Sequence, residues 1–273
     1  MENLEIYTVG RGKGQEKEKY QFGQLVEMSG AYSALGGVFE YLNDDCGYEE
    51  WSQYLIKRLR GLGVFDSASG VDLGCGNGYF TRAMQRGGFK TVGVDLSPEM
   101  LTRAVELSRK EGLKPDYIAG DAAKLALNFK PDFVIAVNDC FNYVEGGKLL
   151  SAFKRIYKVL KPNGVFIFDV SSEYKLRNII GDNLFAEDRG DAAYTWFNTL
   201  KDDRVEMDIT LFLRRKDGLY ERRDEAQTQY IHSKDKIIFA LEETGFACSA
   251  EGHLGGELAE TSERINFVCV KKG

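Results

Sequence analysis

Between residues 70 and 172, short apolar runs alternate with amphipathic segments, and this alternation constrains the fold more than any other feature of the sequence. The first pair is a strand, SGVDLG, followed by a helix, NGYFTRAMQRGG, and the pattern continues to a fifth strand, NGVFIFDV. Parallel strands need long crossover connections, which are usually helices. The alternation therefore predicts an α/β protein with a mainly parallel sheet, helices on both faces and a ligand beyond the carboxyl ends of the strands.

The pattern changes after the fifth strand. Three runs rich in strand-forming residues are separated by the turns KDD and KDG, and in the middle run apolar and polar residues alternate with a period of two. This period is typical of a strand with one covered face. The sequence therefore predicts an antiparallel β meander, residues 176–231, inserted as a lid on the acceptor side of a domain that spans residues 67–175 and 232–273.

Two N-terminal segments precede this domain. Residues 1–19 include the stretch GRGKGQEKEK, which is rich in glycine and charge and predicts a flexible tail. In residues 20–66 the apolar and aromatic side chains recur at helical spacing, as at Trp51, Leu55 and Leu59. We expect a helical cap that leads into the sheet.

Charge, cysteine content and hydropathy exclude several classes of protein. The 273 residues carry 36 Lys and Arg against 42 Asp and Glu, and the net charge of −6 argues against a large surface for nucleic acid phosphates. The five cysteines are scattered without a CxxC pair, so we expect reduced thiols and no metal site. No apolar run reaches the roughly 20 residues of a membrane span, and we expect a cytoplasmic protein without membrane contact.

The turn after the first strand reads DLGCGNG, from Asp72 to Gly78. Glycines let the backbone approach a ligand closely because no side chain intervenes. A carboxylate at Asp72, at the end of the strand, would repel a pyrophosphate and attract an ammonium or sulfonium group. The turn therefore favours a nucleoside with a cationic tail over a dinucleotide such as NAD.

Two further acids end the next two strands. Asp95 follows the glycines by about 20 positions, where a carboxylate can accept hydrogen bonds from both ribose hydroxyls. Asp121 ends the third strand, where it could accept a hydrogen bond from the exocyclic amine of adenine. Each acid has an alternative role as the N-cap of the next helix. Together with Asp72, the two acids favour a nucleoside site at this edge of the sheet.

Five stretches, in order and spacing, resemble the motifs of the class I S-adenosylmethionine-dependent methyltransferases: VDLGCGNG, VGVDLSPEML, AGDAAKL, DFVIAVNDCFNYVE and LKPNGVFIFDVSS. The resemblance covers residues 68–172. It implies a Rossmann-like sheet of seven strands, the seventh antiparallel, with S-adenosylmethionine across the carboxyl ends of strands one, two and four. The segment FEYLNDDCGYEEW, the NYV after strand four and the β insert resemble a bacterial subgroup that acts on small molecules, although Phe39 and Glu40 replace the tyrosine and aspartate usual there.

The resemblance also implies roles for individual residues. Asp72 and the turn glycines would line the methionine part of the cofactor, Asp95 would hold the ribose, and Leu96 would lie near the adenine. Asn138, at the end of strand four, would lie near the sulfonium. The full set of expected cofactor contacts is Trp51, Asp72, Gly74, Cys75, Gly76, Asp95, Leu96, Met100, Gly120, Asp121, Ala122 and Asn138.

The candidate catalytic residues follow strand four, belong to the insert or, in the case of His232, come directly after the insert. Methyl transfer from a sulfonium is an in-line displacement, so the enzyme mainly aligns the nucleophile with the methyl carbon. An amine acceptor needs only to be neutral, whereas an alcohol needs a base or a metal. Asp139, Glu225 and His232 are candidate bases, and Tyr143 and Tyr230 are candidate orienting aromatics. We expect catalytic roles for Asp139, Tyr143 and His232, without a metal ion.

The expected acceptor is a small molecule with a nitrogen or oxygen nucleophile. A DNA amino-methyltransferase would carry an Asn-Pro-Pro-aromatic stretch after strand four to hold a flipped base, whereas this chain has Asn138-Asp139-Cys140-Phe141. The alternatives are an RNA or tRNA methyltransferase, an NAD(P)-dependent oxidoreductase, and a module that binds S-adenosylmethionine without turnover.

Overall fold

A computed structural model describes residues 47–121, 125 and 127–273 of the chain. The predicted tail, most of the predicted helical cap and Ala122 lie outside these residues. In chain order the described helices and strands are α1 (Tyr48–Gly61), β1 (Ser69–Leu73), α2 (Tyr79–Arg86), β2 (Lys90–Asp95), α3 (Pro98–Lys110), β3 (Tyr117–Ala119), β4 (Phe133–Ala136), α4 (Leu149–Val159), β5 (Val165–Ser171), β6 (Leu184–Asp188), β7 (Ala192–Leu200), β8 (Arg204–Arg214), β9 (Tyr220–Tyr230), α5 (Lys234–Thr244), β10 (Phe246–Gly252) and β11 (Arg264–Lys271).

The larger sheet contains seven strands in the order β10-β11-β5-β4-β1-β2-β3. β1 pairs in parallel with both β2 and β4, and β4 pairs in parallel with β5. β11 runs antiparallel to both of its neighbours, β5 and β10. The predicted Rossmann-like, mainly parallel sheet with an antiparallel seventh strand is confirmed. The carboxyl ends of β1, β2 and β4 meet at one edge, where such sheets bind their ligands.

Apolar side chains cover both faces of this sheet, and β5 illustrates how the sequence divides them. Successive residues of a strand point to opposite faces. Phe166 and Phe168 therefore join the cluster that packs under α4 and α5, whereas Val165 and Ile167 join the cluster that packs under α1 and α2. Every residue of β5 is buried, which explains why its sequence is almost continuously apolar.

Serine side chains cap the starts of two helices. Ser97 caps α3 because its hydroxyl accepts a hydrogen bond from the Met100 backbone at 3.2 Å, and Pro98 occupies the first helical position. Ser233 caps α5 in the same way, accepting from the Lys236 backbone at 3.4 Å. None of the described helices is both long and apolar enough to cross a bilayer.

The insert forms a second, antiparallel sheet in the order β6-β7-β8-β9. The alternation in β8 is reproduced, since Val205, Met207 and Leu211 are buried while Asp208 is exposed. The sequence predicts three strands here, and the structure adds β6 as a fourth. This strand is short and pairs only with β7, and its side chains are half-buried or exposed, so it carries little hydrophobic periodicity.

Candidate active site

The glycine turn between β1 and α2 is held against the neighbouring strand by its own backbone. The amides of Gly74 and Cys75 both donate to the Val94 carbonyl, at 2.7 and 3.0 Å. Gly74 has φ 72°, and a Cβ atom added to it would lie far inside van der Waals distance of the Cys140 sulfur. Only glycine fits this position, because the turn approaches the loop after β4 so closely.

Asp72 precedes the turn and is 1% exposed. Its Oδ2 accepts a hydrogen bond from the Thr81 hydroxyl at 2.6 Å, whereas its Oδ1 is buried without a hydrogen-bond partner among the described residues. Burial raises the pKa of the Asp72 carboxyl to about 7, and the Thr81 hydrogen bond opposes part of this rise. A buried carboxylate oxygen without a partner is suited to a cationic ligand group.

Asp95 ends β2 on the same edge. Its carboxylate accepts hydrogen bonds from the backbone amides of Gly76, at 2.7 Å, and Ser97, at 2.9 Å. Burial raises the pKa of this carboxyl as well. Leu96, the next residue, is 69% exposed, while Met100 is buried with its Cε beside Gly76. An exposed leucine beside a buried acid is an apolar surface of the kind on which an adenine can pack.

The remaining expected contacts surround this edge. The Gly120 amide donates to the Asp95 carbonyl at 2.9 Å, and Asp121, at the end of β3, is half-buried. The Cys75 thiol is buried, and burial raises its pKa well above the ordinary value. It is therefore a neutral packing group beneath the turn. Ala122 cannot be compared, because it lies outside the described residues.

Asn138 and Asp139 follow β4 and both adopt left-handed backbone conformations, with φ 61° and 55°. Two successive residues with positive φ are strained unless their surroundings fix them, although Asn and Asp tolerate this region best. The Asp169 carboxylate, on β5, fixes them here. It accepts hydrogen bonds from the backbone amides of Asn138, at 2.7 Å, and Asp139, at 3.0 Å.

Arg264, at the start of β11, neutralises this pair of acids. Its guanidinium forms ion pairs with the Asp139 carboxylate, at 3.3 Å, and with the fully buried Asp169. The Trp51 ring of α1 covers the guanidinium, with 4.8 Å from the ring centroid to Cζ. Trp51 is 2% exposed, and its indole Nε1 has no hydrogen-bond partner among the described residues. The expected cofactor residue Trp51 thus lies next to the loop of Asn138 and Asp139.

Polar side chains of β9 continue this network into the insert. The Gln229 amide donates from Nε2 to the Asp139 carboxylate, at 2.6 Å, and to the Tyr143 hydroxyl, at 3.1 Å. Tyr143 in turn donates to Gln227 Oε1 at 2.8 Å, and the Gln227 amide donates to Glu225. The β9 side chains of this series are 5–7% exposed. The structure therefore brings Asp139 and Tyr143 together, and it adds Gln227 and Gln229 to them.

His232 has a different position. It is 3% exposed, and among the described residues its Nε2 bonds to the backbone carbonyl of Phe141 at 3.1 Å, rather than to Asp139 or Tyr143. Burial lowers the pKa of its imidazole, which is therefore neutral near pH 7. The ring lies under the short 3₁₀ turn Cys140–Tyr143 and ties the end of the insert to it.

Sequence reasoning did not identify Asp169, Arg264, Gln227 or Gln229. Asp169 left a signal, because it is an acid within the otherwise apolar run VFIFDV. The two glutamines left a weaker signal. They lie on either side of Thr228 and so point to one face of β9, the face on which the neighbouring strand β8 carries its apolar residues. Arg264 left none, because an arginine that opens a terminal strand is commonly solvated.

Comparison with known proteins identifies the family of this chain. Residues 71–164 match the family described as a methyltransferase domain. A protein named as a methyltransferase in Geobacillus sp. (strain WCH70) is 30% identical over 245 residues, which cover 88% of this chain and 99% of the relative. The crystal structure of an S-adenosylmethionine-dependent methyltransferase from Clostridium acetobutylicum superimposes with a TM-score of 0.82 at 30% identity, over 89% of this chain and 99% of that chain.

The chain belongs to the class I S-adenosylmethionine-dependent methyltransferases. An amino pentose methyltransferase from Micromonospora echinaspora, solved with S-adenosylmethionine bound, shares the fold with a TM-score of 0.68 at 17% identity, over 86% of this chain and 97% of that chain. In the chain described here, the residues at the ends of β1 and β2 fit S-adenosylmethionine. Asp72 Oδ1 is a buried acceptor without a partner among the described residues, and it lies directly before the glycine turn, where a cationic group of the cofactor can meet it.

Proposed function

We propose that this methyltransferase acts on a small-molecule acceptor through a nitrogen or oxygen nucleophile. The observation that carries the proposal is the buried series of polar side chains from β9 to the end of β4. Gln227 and Gln229, on strand β9 of the insert, are buried and hydrogen-bonded to Tyr143 and Asp139. The polar groups on the acceptor side are therefore enclosed rather than spread over an open surface. An enclosed site with a few convergent polar groups is typical of small-molecule binding.

The cofactor contacts proposed for this chain follow the strand ends. When bound, S-adenosylmethionine supplies an electrophilic methyl group on a sulfonium. Asp72 and Gly74 hold the methionine end, because Asp72 provides a buried carboxylate oxygen and Gly74 lets the turn pack directly against the loop after β4. Asp95 binds the ribose, and Leu96 with Met100 binds the adenine. Further contacts proposed around them come from Trp51, Cys75, Gly76, Gly120, Asp121, Ala122 and Asn138.

The acceptor side positions the nucleophile. Asp139 and Tyr143 are held in place by Gln229, and Arg264 and Asp169 fix the backbone of the Asp139 loop. Alignment of this kind can supply up to roughly 7–11 kcal/mol of the barrier reduction. In this proposal Asp139 and Tyr143 contact the acceptor.

His232 acts on the acceptor only indirectly in this proposal. It holds the turn that carries Tyr143, because its ring is buried and hydrogen-bonded to the Phe141 carbonyl. The sequence predicts a catalytic histidine here, and the hydrogen bond to the backbone favours a positioning role instead.

Two observations favour a small molecule over a nucleic acid. The net charge of −6 disfavours extended contact with phosphates. The neighbour from Micromonospora echinaspora is named as an amino pentose methyltransferase, and it shares this fold with 17% identity. The test therefore includes RNA as a possible acceptor.

In the test, the enzyme and labelled S-adenosylmethionine are incubated with one of three fractions: bacterial metabolites below about 3 kDa, bulk RNA or bulk protein. The size limit of about 3 kDa lets metabolites through and retains folded domains. We expect label in the metabolite fraction alone. Asp95→Ala should abolish the transfer, whereas Asp116→Ala, an exposed acid on the segment before β3, should not. Label confined to RNA or protein, or absent from all three, would contradict the proposal.

A further inference from the structure

Gln229 stands out among the polar residues of the acceptor side. Its side chain is 95% buried, since the residue is 5% exposed, yet its carbonyl oxygen Oε1 has no hydrogen-bond partner among the described residues. We propose that Gln229 Oε1 binds an N–H group of the methyl acceptor, and that the acceptor is a primary or secondary amine. The inference rests on the proposed function, and it names the substrate class.

The orientation of the Gln229 amide follows from its neighbours. Nε2 donates to Asp139 Oδ2 at 2.6 Å, and an ionised carboxylate can only accept hydrogen bonds. Rotating the amide by a half turn would place Oε1 against that carboxylate, where two acceptors repel. The unpaired atom is therefore the carbonyl oxygen, independently of how amide nitrogen and oxygen are assigned in coordinates.

Among the described residues, the hydrogen bonds around Gln229 leave its Oε1 without a donor. The Tyr143 hydroxyl donates to Gln227 Oε1 at 2.8 Å and so receives the second Gln229 hydrogen bond, at 3.1 Å, as an acceptor. The Gln227 amide donates to Glu225. What Gln229 lacks is consequently a donor. Because a buried acceptor is costly to leave unpaired, a ligand that presents an N–H or O–H group gains from this position.

The same neighbours favour an amine over an alcohol. An alcohol must lose its proton to a base within hydrogen-bond reach as it attacks. Asp139 is already engaged through Oδ1 with Arg264 and through Oδ2 with Gln229, and the Tyr143 hydroxyl already donates to Gln227. His232 bonds to the Phe141 carbonyl. A neutral amine needs no base at this step.

The covalent step balances without a further reactant. The lone pair of the amine nitrogen forms the new N–C bond while the S–C bond breaks onto sulfur, which takes the electron pair and becomes a neutral thioether. The alkylammonium product releases one proton to water. An N–H directed at Gln229 turns the lone pair away from the amide, so Gln229 sets the orientation of the nucleophile.

The first test uses the unaltered enzyme and the metabolite fraction described above. One half of the fraction is treated with formaldehyde and cyanoborohydride, which converts primary and secondary amines to tertiary amines and leaves hydroxyls unchanged. We expect transfer of labelled methyl to fall at least tenfold in the treated half. Undiminished transfer would overturn the inference while leaving the proposed function intact. Absence of transfer to the untreated half would overturn both.

A second test addresses Gln229 itself. In Gln229→Leu we expect the KM for the acceptor fraction to rise at least tenfold, with the dissociation constant of S-adenosylhomocysteine, measured by calorimetry, unchanged. Gln53→Leu is the matched control, because Gln53 is an exposed residue of α1 whose amide donates to the neighbouring Glu49 side chain at 2.9 Å. An unchanged acceptor KM in Gln229→Leu would contradict the assignment.

Discussion

The two sides of the methyltransferase site are built in different ways. On the cofactor side, Asp72 and Asp95 take hydrogen bonds from residues that lie 2 to 19 positions away in the chain. On the acceptor side, Asp169 holds the Asn138 amide from 31 positions away. Asp139 finds its partners on β9 and β11, 90 and 125 positions away.

This difference separates what a short motif can specify from what the whole fold must assemble. The cofactor side needs β1, β2 and the turn between β1 and α2, and so most of its geometry is local. The acceptor side exists only when the insert and the last strand have both docked on the end of β4. Substitutions there should therefore affect folding and acceptor use together, whereas substitutions in the turn should mainly affect cofactor binding.

The largest effect is expected for Arg264→Met, which breaks the acceptor side at its centre. It leaves the buried Asp169 carboxylate without its cation, and removing one partner of a buried pair costs about 3–5 kcal/mol of the free energy of unfolding. The carboxylate left without its cation is the one that accepts the backbone amides of Asn138 and Asp139, so the left-handed loop should be destabilised with it. Chemical denaturation measures the loss, and methyl transfer should decline with it.

Two variants make this prediction specific. Arg264→Lys keeps a positive charge but not the planar guanidinium that reaches two carboxylates, and it should recover part of the stability with kcat still reduced. Arg222→Met removes an exposed pair with Asp224 and should leave the free energy of unfolding nearly unchanged, because solvent screens such pairs. If Arg264→Met were as mild as Arg222→Met, the acceptor side would not depend on the buried pair.

The difference between the local cofactor side and the long-range acceptor side also explains how much of the fold and of the site could be predicted from the sequence. The succession β1 to β5 and the places of Asp72 and Asp95 at strand ends follow from alternation and local motifs, whereas the seventh antiparallel strand follows from the family resemblance; the structure contains all of them. The side chains Gln227 and Gln229 are polar residues in a strand that is polar on both faces, DEAQTQY. Such a pattern indicates solvated side chains, whereas in the structure both glutamines are buried against Asp139 and Tyr143, which are distant in the chain.

An intermediate effect is expected for Gly74→Ala, which breaks the cofactor side. The residue would have to adopt φ 72° and also displace the Cys140 sulfur. Left-handed strain costs roughly 1–2 kcal/mol and overpacking roughly 1–3 kcal/mol more. We expect affinity for S-adenosylhomocysteine to fall at least about tenfold, corresponding to about 1.4 kcal/mol.

Gly112→Ala separates the two causes. Gly112 has the same φ of 72°, but a Cβ there would meet nothing within 4 Å. It should therefore carry the strain alone, lowering stability by roughly 1–2 kcal/mol and leaving cofactor affinity unchanged. Equal loss of affinity in both variants would show that the close approach of the turn to Cys140 is unimportant.

The smallest effect on ligand affinity is expected from pH, and it tests whether Asp72 is a local anchor of the cofactor side. Burial raises the pKa of the Asp72 carboxyl from 3.8 to about 7. At pH values between these two, Asp72 is therefore protonated in the folded protein and ionised in the unfolded chain. The contribution of Asp72 to stability is therefore full below about pH 4 and is lost as the pH rises through about 7.

Cofactor binding should respond in the opposite sense. If the ionised Asp72 pairs with the ammonium group of S-adenosylhomocysteine, affinity should rise roughly tenfold between pH 6 and pH 8, because only about a tenth of the carboxyl is ionised one unit below a pKa near 7. Calorimetry across this range measures the slope, and Asp72→Asn should flatten it and weaken binding at pH 8. Asp224→Asn, an exposed acid of β9, should retain the slope. A flat profile in the unaltered enzyme would mean that the unpaired Oδ1 of Asp72 does not receive the cationic end of the ligand, and that the cofactor side also depends on groups distant in the chain.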